Sequence, residues 1–549
     1  MPRKRAVNVC ESCHDQKIRC DVDSTGTPCS KCIEIGERCT IRARKQYRGR
    51  KRARRSSNSN LDEGNDHVTT KIVAAAVLEP SSRIAPIFVG DGGYGAILDA
   101  TVPTIDRHFH VPITAERALT PEDLEYLKIK GCFTLPVEIK ELVEAYFHFV
   151  HPTFPVIDGS SFLQDYADGG HQAINLLLLW SMFSVSASYV PNLPRKMRKE
   201  SYVQRAKMLF DLSQETDKTV LVQSALLLSF WFVDTEDVKQ SWYWTSIAFS
   251  IAQTLGLYRS IGSTQTHVGA QQRSLWRNIW QCCMIRDVWL AFGMGRPLRI
   301  NASDCDFVAP EDVDCGFADL TMHGKTLYSR SEAAGLLSRW QNLITTSNVL
   351  RETITSKTLS STRFTALKGQ INVQNVDGST LLLTRVDRHL KLHQHATITA
   401  LARASDVEDD LRKAADGITA IMQTFLHDNT TVYASPVTVP LVVPAMITYL
   451  KTIKDNFQEA SDLANDKLNI LSQFLTAIED NYPAASILKR VLAAAREAAT
   501  GEKSGQRNPG SAQADSMNHA LSSWDSYWLA NESPLWLSGI GSFTPSAIE

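Results

Sequence analysis

The chain lacks a bilayer-spanning run. Its most apolar stretch, 174–190, is 17 residues long and contains Asn175 and four serines, short of the ~20 apolar residues a membrane helix needs, so a buried helix is expected there. The start, MPRKRAVNVCESC, is charged and is not followed by an apolar run of 7–15 residues, so no secretory signal and a reducing compartment are expected. Runs with clean strand alternation are scarce, which argues against a β architecture. No a/d repeat is sustained for three heptads before residue 120, so no coiled coil is visible there, and a homodimer is left open. After Arg507 there is no Lys or Arg at all.

What is present is unevenly distributed. With 549 residues, several times the usual ~150 per domain, and 43% hydrophobic residues, more than one folded unit and at least one large core are expected. The formal net charge of −1 hides a split: residues 1–55 carry 16 Lys/Arg against 6 Asp/Glu, a net of +10, which leaves −11 for the remainder. A compact basic head on an acidic body fits a polyanionic partner, nucleic acid before an anionic membrane. Six of the 11 cysteines fall between residues 10 and 39. In reducing surroundings clustered cysteines are metal ligands before they are disulfides.

These six, Cys10, Cys13, Cys20, Cys29, Cys32 and Cys39, form two copies of Cys-x2-Cys-x6-Cys separated by eight residues. Two thiolates of one tight turn can bind the same ion, and the third returns after about two helical turns. Two tetrahedral zinc ions need eight ligand positions, so with six thiolates two must bridge. A segment of about 30 residues cannot bury enough apolar surface to fold alone. The metal must then supply folding free energy on the order of 10 kcal/mol.

At every spacing the pattern resembles that of the fungal binuclear zinc-cluster transcription factors. The resemblance implies two structural zinc ions, with Cys10 and Cys29 bridging, Cys13 and Cys20 completing one ion, and Cys32 and Cys39 the other. Pro28 stands where that family has a proline in the turn joining the halves. His14 is a solvent or phosphate neighbour, since six cysteines satisfy both ions. Residues 14–19 correspond to a short helix whose end enters the DNA major groove. The family has basic residues at the first, third, fourth and sixth of these positions; here only Lys17 and Arg19 conform at the last two. Lys17 matches the residue that contacts guanines of a CGG triplet, where a cation donates to O6 and N7. Arg19 matches a phosphate-contacting position. Gln16 replaces a cation that assists base contact, and Asp15 adds negative charge, so affinity or base preference departs from the common pattern. From Arg42 to Arg55 nine of 14 residues are basic, including Arg42, Arg44, Lys45, Arg48, Arg50, Lys51 and Arg52. Such a run tracks phosphates and serves as a nuclear import signal.

Residues 56–115 mix polar with Gly- and Pro-rich stretches and read as linker. Their glycine run 90–95 lacks the Gly-Lys-Ser/Thr ending of a phosphate loop. Thr120-Pro121-Glu122-Asp123 is a helix start, with Pro at the first helical position and acids in the first turn. Helical spacing recurs over 138–149, 219–232, 242–257, 274–292, 411–425, 467–478 and 484–499. His151-Pro152 and Phe154-Pro155 end a helix. Trp276, Trp280 and Trp289 with Arg286 and Asp287 between them read as packing plus an internal ion pair, and Cys282, Cys283 and the histidines have no catalytic partner motif. Residues 146–158, 248–256 and 276–300 resemble the helical middle domain that accompanies fungal zinc clusters. Leu298-Arg299-Ile300 and Asp304-Cys305-Asp306 point to its cutinase and fatty-acid regulator branch. The final 42 residues set Trp524, Tyr527, Trp528, Trp536 and Phe543 among acids without cations. That composition suits an activation segment and equally a C-terminal helix docked on the core.

The expected fold is a small zinc-stapled N-terminal DNA-binding domain plus a large all-α regulatory domain. Its divisions are the zinc cluster at 1–41, the basic run and linker at 42–115, the helical middle domain at 116–500, and the acidic, aromatic tail at 501–549. The expected function is a nuclear activator of RNA polymerase II transcription that binds CGG-type triplets in double-stranded DNA and controls a metabolic or secondary-metabolite gene set. Its expected partners are coactivators and the nuclear import machinery, with no membrane and no enzymatic chemistry. The alternative is a scaffold whose zinc unit binds protein or non-specific nucleic acid.

Overall fold

Three buried clusters organise the chain, one in the compact unit Met1–Gly64 and two in the compact unit Asn65–Glu549. In this computed structural model the described residues are 10, 12–13, 16, 18, 20–25, 27–36, 38–40, 84–88, 108–112, 119–190, 195–212, 215, 217–231, 240–259, 269–306, 308–356, 358–371, 373, 380–454 and 458–500. The basic run 42–55 and the tail 501–549 lie outside them. Among the described residues the first unit includes the short helices α1 (Val22–Thr25) and α2 (Ser30–Ile35).

The second unit opens with strands β1 (Ile84–Phe88) and β2 (His108–Pro112), antiparallel, with Ile84 opposite Pro112 and Phe88 opposite His108. They lie within the stretch whose composition reads as linker. Each is five residues long and carries a proline, so the pairing partner rather than the local pattern makes them strands. The Phe88 ring meets Tyr258 edge-on at 5.6 Å. It also lies against Gly256, where a Cβ would come within 2.3 Å of the ring and where φ is +69°, so only glycine fits.

Helices then follow almost without interruption: α3 (Pro121–Ile129), α4 (Ile139–Ala145), α5 (Gly159–Gly169), α6 (Leu176–Ser186), α7 (Arg195–Leu212), α8 (Lys218–Leu228), α9 (Ser241–Thr254) and α10 (Ala270–Met294). A two-residue hairpin, β3 (Thr321–Met322) and β4 (Lys325–Thr326), precedes α11 (Arg330–Ser356), α12 (Ser361–Gln370), α13 (Leu381–Ala404) and α14 (Glu408–His427). The last four are α15 (Thr438–Leu441), α16 (Val443–Lys454), α17 (Gln458–Ile478) and α18 (Pro483–Thr500). Among the described residues of 119–500 the helical expectation thus holds apart from the short β3–β4 hairpin, with a helix at each span that the sequence predicts there.

Local chemistry sets the helix starts. Thr120 Oγ1 accepts from the Asp123 N–H (3.1 Å) and Asp123 returns the contact to the Thr120 N–H, with Pro121 at the first position. After α4 the chain continues as one π turn, Tyr146–Val150, and ends where Pro152 has no N–H to donate. The apolar stretch read as a buried helix is α6, buried on every side from Leu177 to Ser186, with α7 and α8 packed along it. Its serines remain tolerable because Ser181, Ser184 and Ser186 donate to carbonyls of their own helix.

The α10 helix carries the three tryptophans, all buried, and joins α9 to α11. The ion pair expected between Arg286 and its neighbour Asp287 is replaced by a different one. Fully buried Asp287 takes Arg299 at 2.8 Å and Arg351 at 3.5 Å. Neighbours on a helix point about 100° apart and do not face each other, so Arg286 is directed instead to Ser229 and stacks on Phe230 at 4.3 Å. Gly295, left-handed at φ 58°, ends α10 and turns the chain back so that Arg299 reaches Asp287. Arg299 also donates to the Trp242 carbonyl and covers the Trp242 ring, which ties α9 into the network.

Candidate zinc cluster and nucleic-acid interface

In the first unit Cys10, Cys13, Cys20, Cys29 and Cys32 are buried with Val22, while Ile18 and Cys39 are partly buried against them. A hydrophobic core of that size cannot hold a fold by burial. Ile33 and Ile35, the apolar residues of α2, are exposed at 66% and 45% and add nothing to it.

The thiols are spaced for a metal. Cys10 Sγ lies 3.8 Å from Cys29, 3.6 Å from Cys32 and 3.7 Å from Cys20, and Cys13 lies 3.6 Å from Cys29. Tetrahedral zinc with Zn–S bonds of about 2.3 Å has S–S edges of about 3.8 Å. The sulfurs form two groups of four, each within 4.8 Å throughout: Cys10, Cys13, Cys20, Cys29 and Cys10, Cys29, Cys32, Cys39. Cys10 and Cys29 belong to both groups.

The backbone prepares the two shared sulfurs for negative charge. The Cys32 N–H and the neighbouring thiols outweigh burial at Cys29 and hold it at about 6. At Cys10 burial acts upward, but the Cys13 N–H at 3.5 Å and the surrounding thiols bring it below the usual thiol value. Burial and the nearby sulfurs push Cys32 up to about 12 and raise Cys13 as well. Ligation requires thiolates, and a divalent cation supplies the charge that makes several of them compatible.

The turn geometry repeats this economy. Cys29 caps α2, and Gly36, left-handed at φ 72°, closes it by donating to the Cys32 carbonyl. The Thr27–Pro28 peptide between the halves is cis. Asp21, not singled out by the sequence reading, accepts from the Ser30 N–H at 3.1 Å, and that contact lowers its carboxyl. It fastens the residue after Cys20 to the start of α2. The available signal was an acid directly after a cysteine and ahead of a helix N-terminus.

Of the expected DNA-contacting residues, Gln16 is exposed in the turn after Cys13, its N–H bonded to the Ser12 carbonyl at 3.1 Å. Lys17, Arg19, Arg42, Arg44, Lys45, Arg48, Arg50, Lys51 and Arg52, with His14 and Asp15, lie outside the described residues. In the second unit Cys282 and Cys283 are fully buried, and burial raises both thiols, the opposite of what a nucleophile needs. No described helix is long and apolar enough to cross a membrane.

Residues 8–48 match the fungal Zn(2)-Cys(6) binuclear cluster domain, and residues 143–395 match the fungal specific transcription factor domain. The chain is 35% identical over 209 residues to cutinase transcription factor 1 beta of Fusarium vanettenii, covering 36% of this chain and 23% of that protein. It is 28% identical over 374 residues to cutinase transcription factor 1 alpha of the same organism, covering 55% and 41%. It is 33% identical over 189 residues to the acetamidase regulatory protein of Aspergillus oryzae, covering 33% and 24%. The chain therefore spans well under two thirds of the length of these relatives. A solved structure titled as the K. lactis CBF3 core is similar at a TM-score of 0.47 and 13% identity, over 74% of this chain and 94% of that one, a likeness too low to carry argument. Six thiols gathered in two overlapping groups and a helical body, each matched by its own fungal domain and in that order, place the chain among the fungal Zn(2)-Cys(6) transcription factors.

Proposed function

We propose that the protein is a sequence-specific regulator of RNA polymerase II transcription, acting in the nucleus through a DNA-binding unit held by two zinc ions. The observation that carries this reading is the sharing of Cys10 and Cys29 between two tetrahedrally spaced thiol groups. Zinc there supplies the folding free energy that so small a core lacks. Cys10 and Cys29 bridge both ions, Cys13 and Cys20 complete one, and Cys32 and Cys39 the other. Lys17 reads guanines of a CGG-type triplet, while Arg19 and the basic run 42–55 hold phosphates and recruit the nuclear import machinery. The names of the relatives, which refer to cutinase and acetamidase, support a metabolic gene set. Contact with coactivators through residues 501–549 belongs to the same reading. The family is one of transcription factors and not of enzymes.

The test is metal content and competition binding of the full chain. Two zinc ions per chain, both lost in Cys29→Ser, are expected, with a CGG-containing duplex preferred over a scrambled one at one stated salt concentration. Replacing Arg50 to Arg55 by neutral residues should flatten the log–log salt slope by about 0.9 per lost phosphate contact and leave the preference unchanged. A single ion refutes the bridged cluster. Equal binding to both duplexes favours the scaffold.

A further inference from the structure

Several buried cations of the helical body have a carboxylate. Arg339 meets Asp387 at 2.7 Å, and Arg299 and Arg351 share Asp287. Lys199 and Arg286 differ. They are 7% and 6% exposed, and among the described residues no carboxylate pairs with either. Lys199 Nζ donates to Ser188 Oγ at 3.2 Å and otherwise faces the rings of Tyr482 at 5.1 Å and Trp231 at 6.0 Å. Arg286 donates to the hydroxyl and carbonyl of Ser229. Burying a cation without an anion is costly, and accordingly burial depresses Lys199 to about 8 and Arg286 to about 9.

Both residues line one cavity of about 130 Å³ bounded by α7, α10, α15 and the start of α18. Its walls are mainly apolar, with Phe230, Trp231, Trp289 and Tyr482 among them. Glu200, the carboxylate at its wall among the described residues, is exposed and pairs with neither cation. A smaller cavity of about 40 Å³ shares Phe230, Arg286 and Trp289 with it. An apolar cavity of about 150 Å³ is known to hold one benzene, so the space suits a body of about six carbons.

We propose that this cavity binds a small organic monocarboxylate, its apolar body against the aromatic walls and its anion neutralising Lys199 and Arg286. An aromatic or short aliphatic acid meets both demands. An inorganic anion leaves the apolar walls unfilled, and a neutral molecule of the same shape leaves the cations unpaired. The site is independent of the DNA-binding reading and is tested without DNA.

Isothermal titration of the full chain with benzoate and hexanoate, beside benzyl alcohol, hexan-1-ol and inorganic phosphate, decides it. The acids should bind at least about tenfold more tightly than the alcohols or phosphate, the margin a charge-assisted hydrogen bond provides. Lys199→Met should remove about that factor for the acids and change alcohol binding less than about threefold. Ala484→Leu, which fills the cavity wall and leaves both cations, should abolish binding of acid and alcohol alike. Arg286 also holds Ser229, so Lys199→Met is the deciding cation variant. Near-ultraviolet circular dichroism checks that each variant is folded, and if any is not, the comparison of acids with alcohols on the unaltered chain decides alone. Alcohols or phosphate binding as tightly as acids, no binding by any probe, or acid binding unchanged in folded Lys199→Met overturns the proposal.

Discussion

The two units bury different chemistry. In the first, six cysteines with Val22 and Ile18 are the core among the described residues, and the apolar residues of α2 face outward. In the second, tryptophans such as Trp180, Trp244 and Trp340 are essentially inaccessible, and a continuous apolar cluster runs from Leu127 to Leu492. One fold is therefore conditional on a ligand, and the other is sustained by burial at roughly 25 cal/mol per Å2 of apolar surface. A chain assembled this way can lose its DNA-binding head and keep its body intact.

Removing zinc is the strongest way to break the comparison. A high-affinity chelator should withdraw free energy on the order of 10 kcal/mol from the first unit. Amide exchange of residues 10–40 should rise to the unprotected rate while protection in α6 and α10 is unchanged. Loss of protection in those helices on chelation would show that the body also depends on the metal.

The converse experiment strikes the body alone. Asp287→Ala leaves Arg299 and Arg351 buried without their shared carboxylate, a loss of about 3–5 kcal/mol for a broken buried pair. Denaturant unfolding of the helical signal should shift accordingly, with zinc content held at the unaltered chain's value. A fall in zinc would contradict the independence of the units.

How much could be read beforehand follows the same division. The zinc unit was legible because ligand spacing is local: cysteines three and seven residues apart can meet at one ion whatever the rest of the chain does. In the body, helices with a clean apolar stripe were legible, among them α14 and α17. The long helices α11 and α13 were not, because polar residues occupy their buried faces. Arg339, Ser347, Arg351 and Thr353 are buried in α11, and His393, Gln394, Thr397 and Thr399 in α13. The structure satisfies them afterwards, as when Thr353, Thr397 and Thr399 donate to the carbonyl four residues back and Arg339 takes Asp387. The β1–β2 pair was hidden for another reason, since each strand is defined by a partner distant in sequence. The lone cations at the cavity were invisible because only tertiary packing decides which arginine lacks an acid.

Acid sharpens the contrast further. His151 is fully buried among Tyr146, Phe147 and Phe317, and neither ring nitrogen has a hydrogen-bond partner among the described residues. Burial lowers it from 6.5 to about 4, with Asp158 opposing weakly. The neutral form is thus favoured by folding, and between pH 6.5 and 4 the unfolded chain holds the extra proton. Stability is present above 6.5 and falls as pH drops through that window, by about 3 kcal/mol from this residue at the acid end. His393 and His395 are lowered to about 4 in the same way. His151→Leu should therefore remove about one of the protons taken up on unfolding near pH 5, measured as the slope of unfolding free energy against pH. An unchanged slope would assign the acid limb to other groups.

The smallest expected effect concerns the surface that the zinc unit presents. Under the proposed reading Lys17 alone combines the base-contact position of the family pattern with a cation able to donate to guanine O6 and N7, since Gln16 carries no charge and Arg19 falls at a phosphate position of that pattern. A base contact of this type is worth about 1–3 kcal/mol of discrimination. Lys17→Ala should therefore weaken binding to a CGG-containing duplex about 5- to 150-fold, change binding to a scrambled duplex much less, and leave zinc content and body stability unaltered. Arg19→Ala should weaken both duplexes nearly equally, because a phosphate contact carries no sequence information. Competition binding at one salt concentration separates the two. If Lys17→Ala lowers both affinities by the same factor, Lys17 is a backbone contact and the readout has moved to another residue of the turn after Cys13, where Gln16 is exposed.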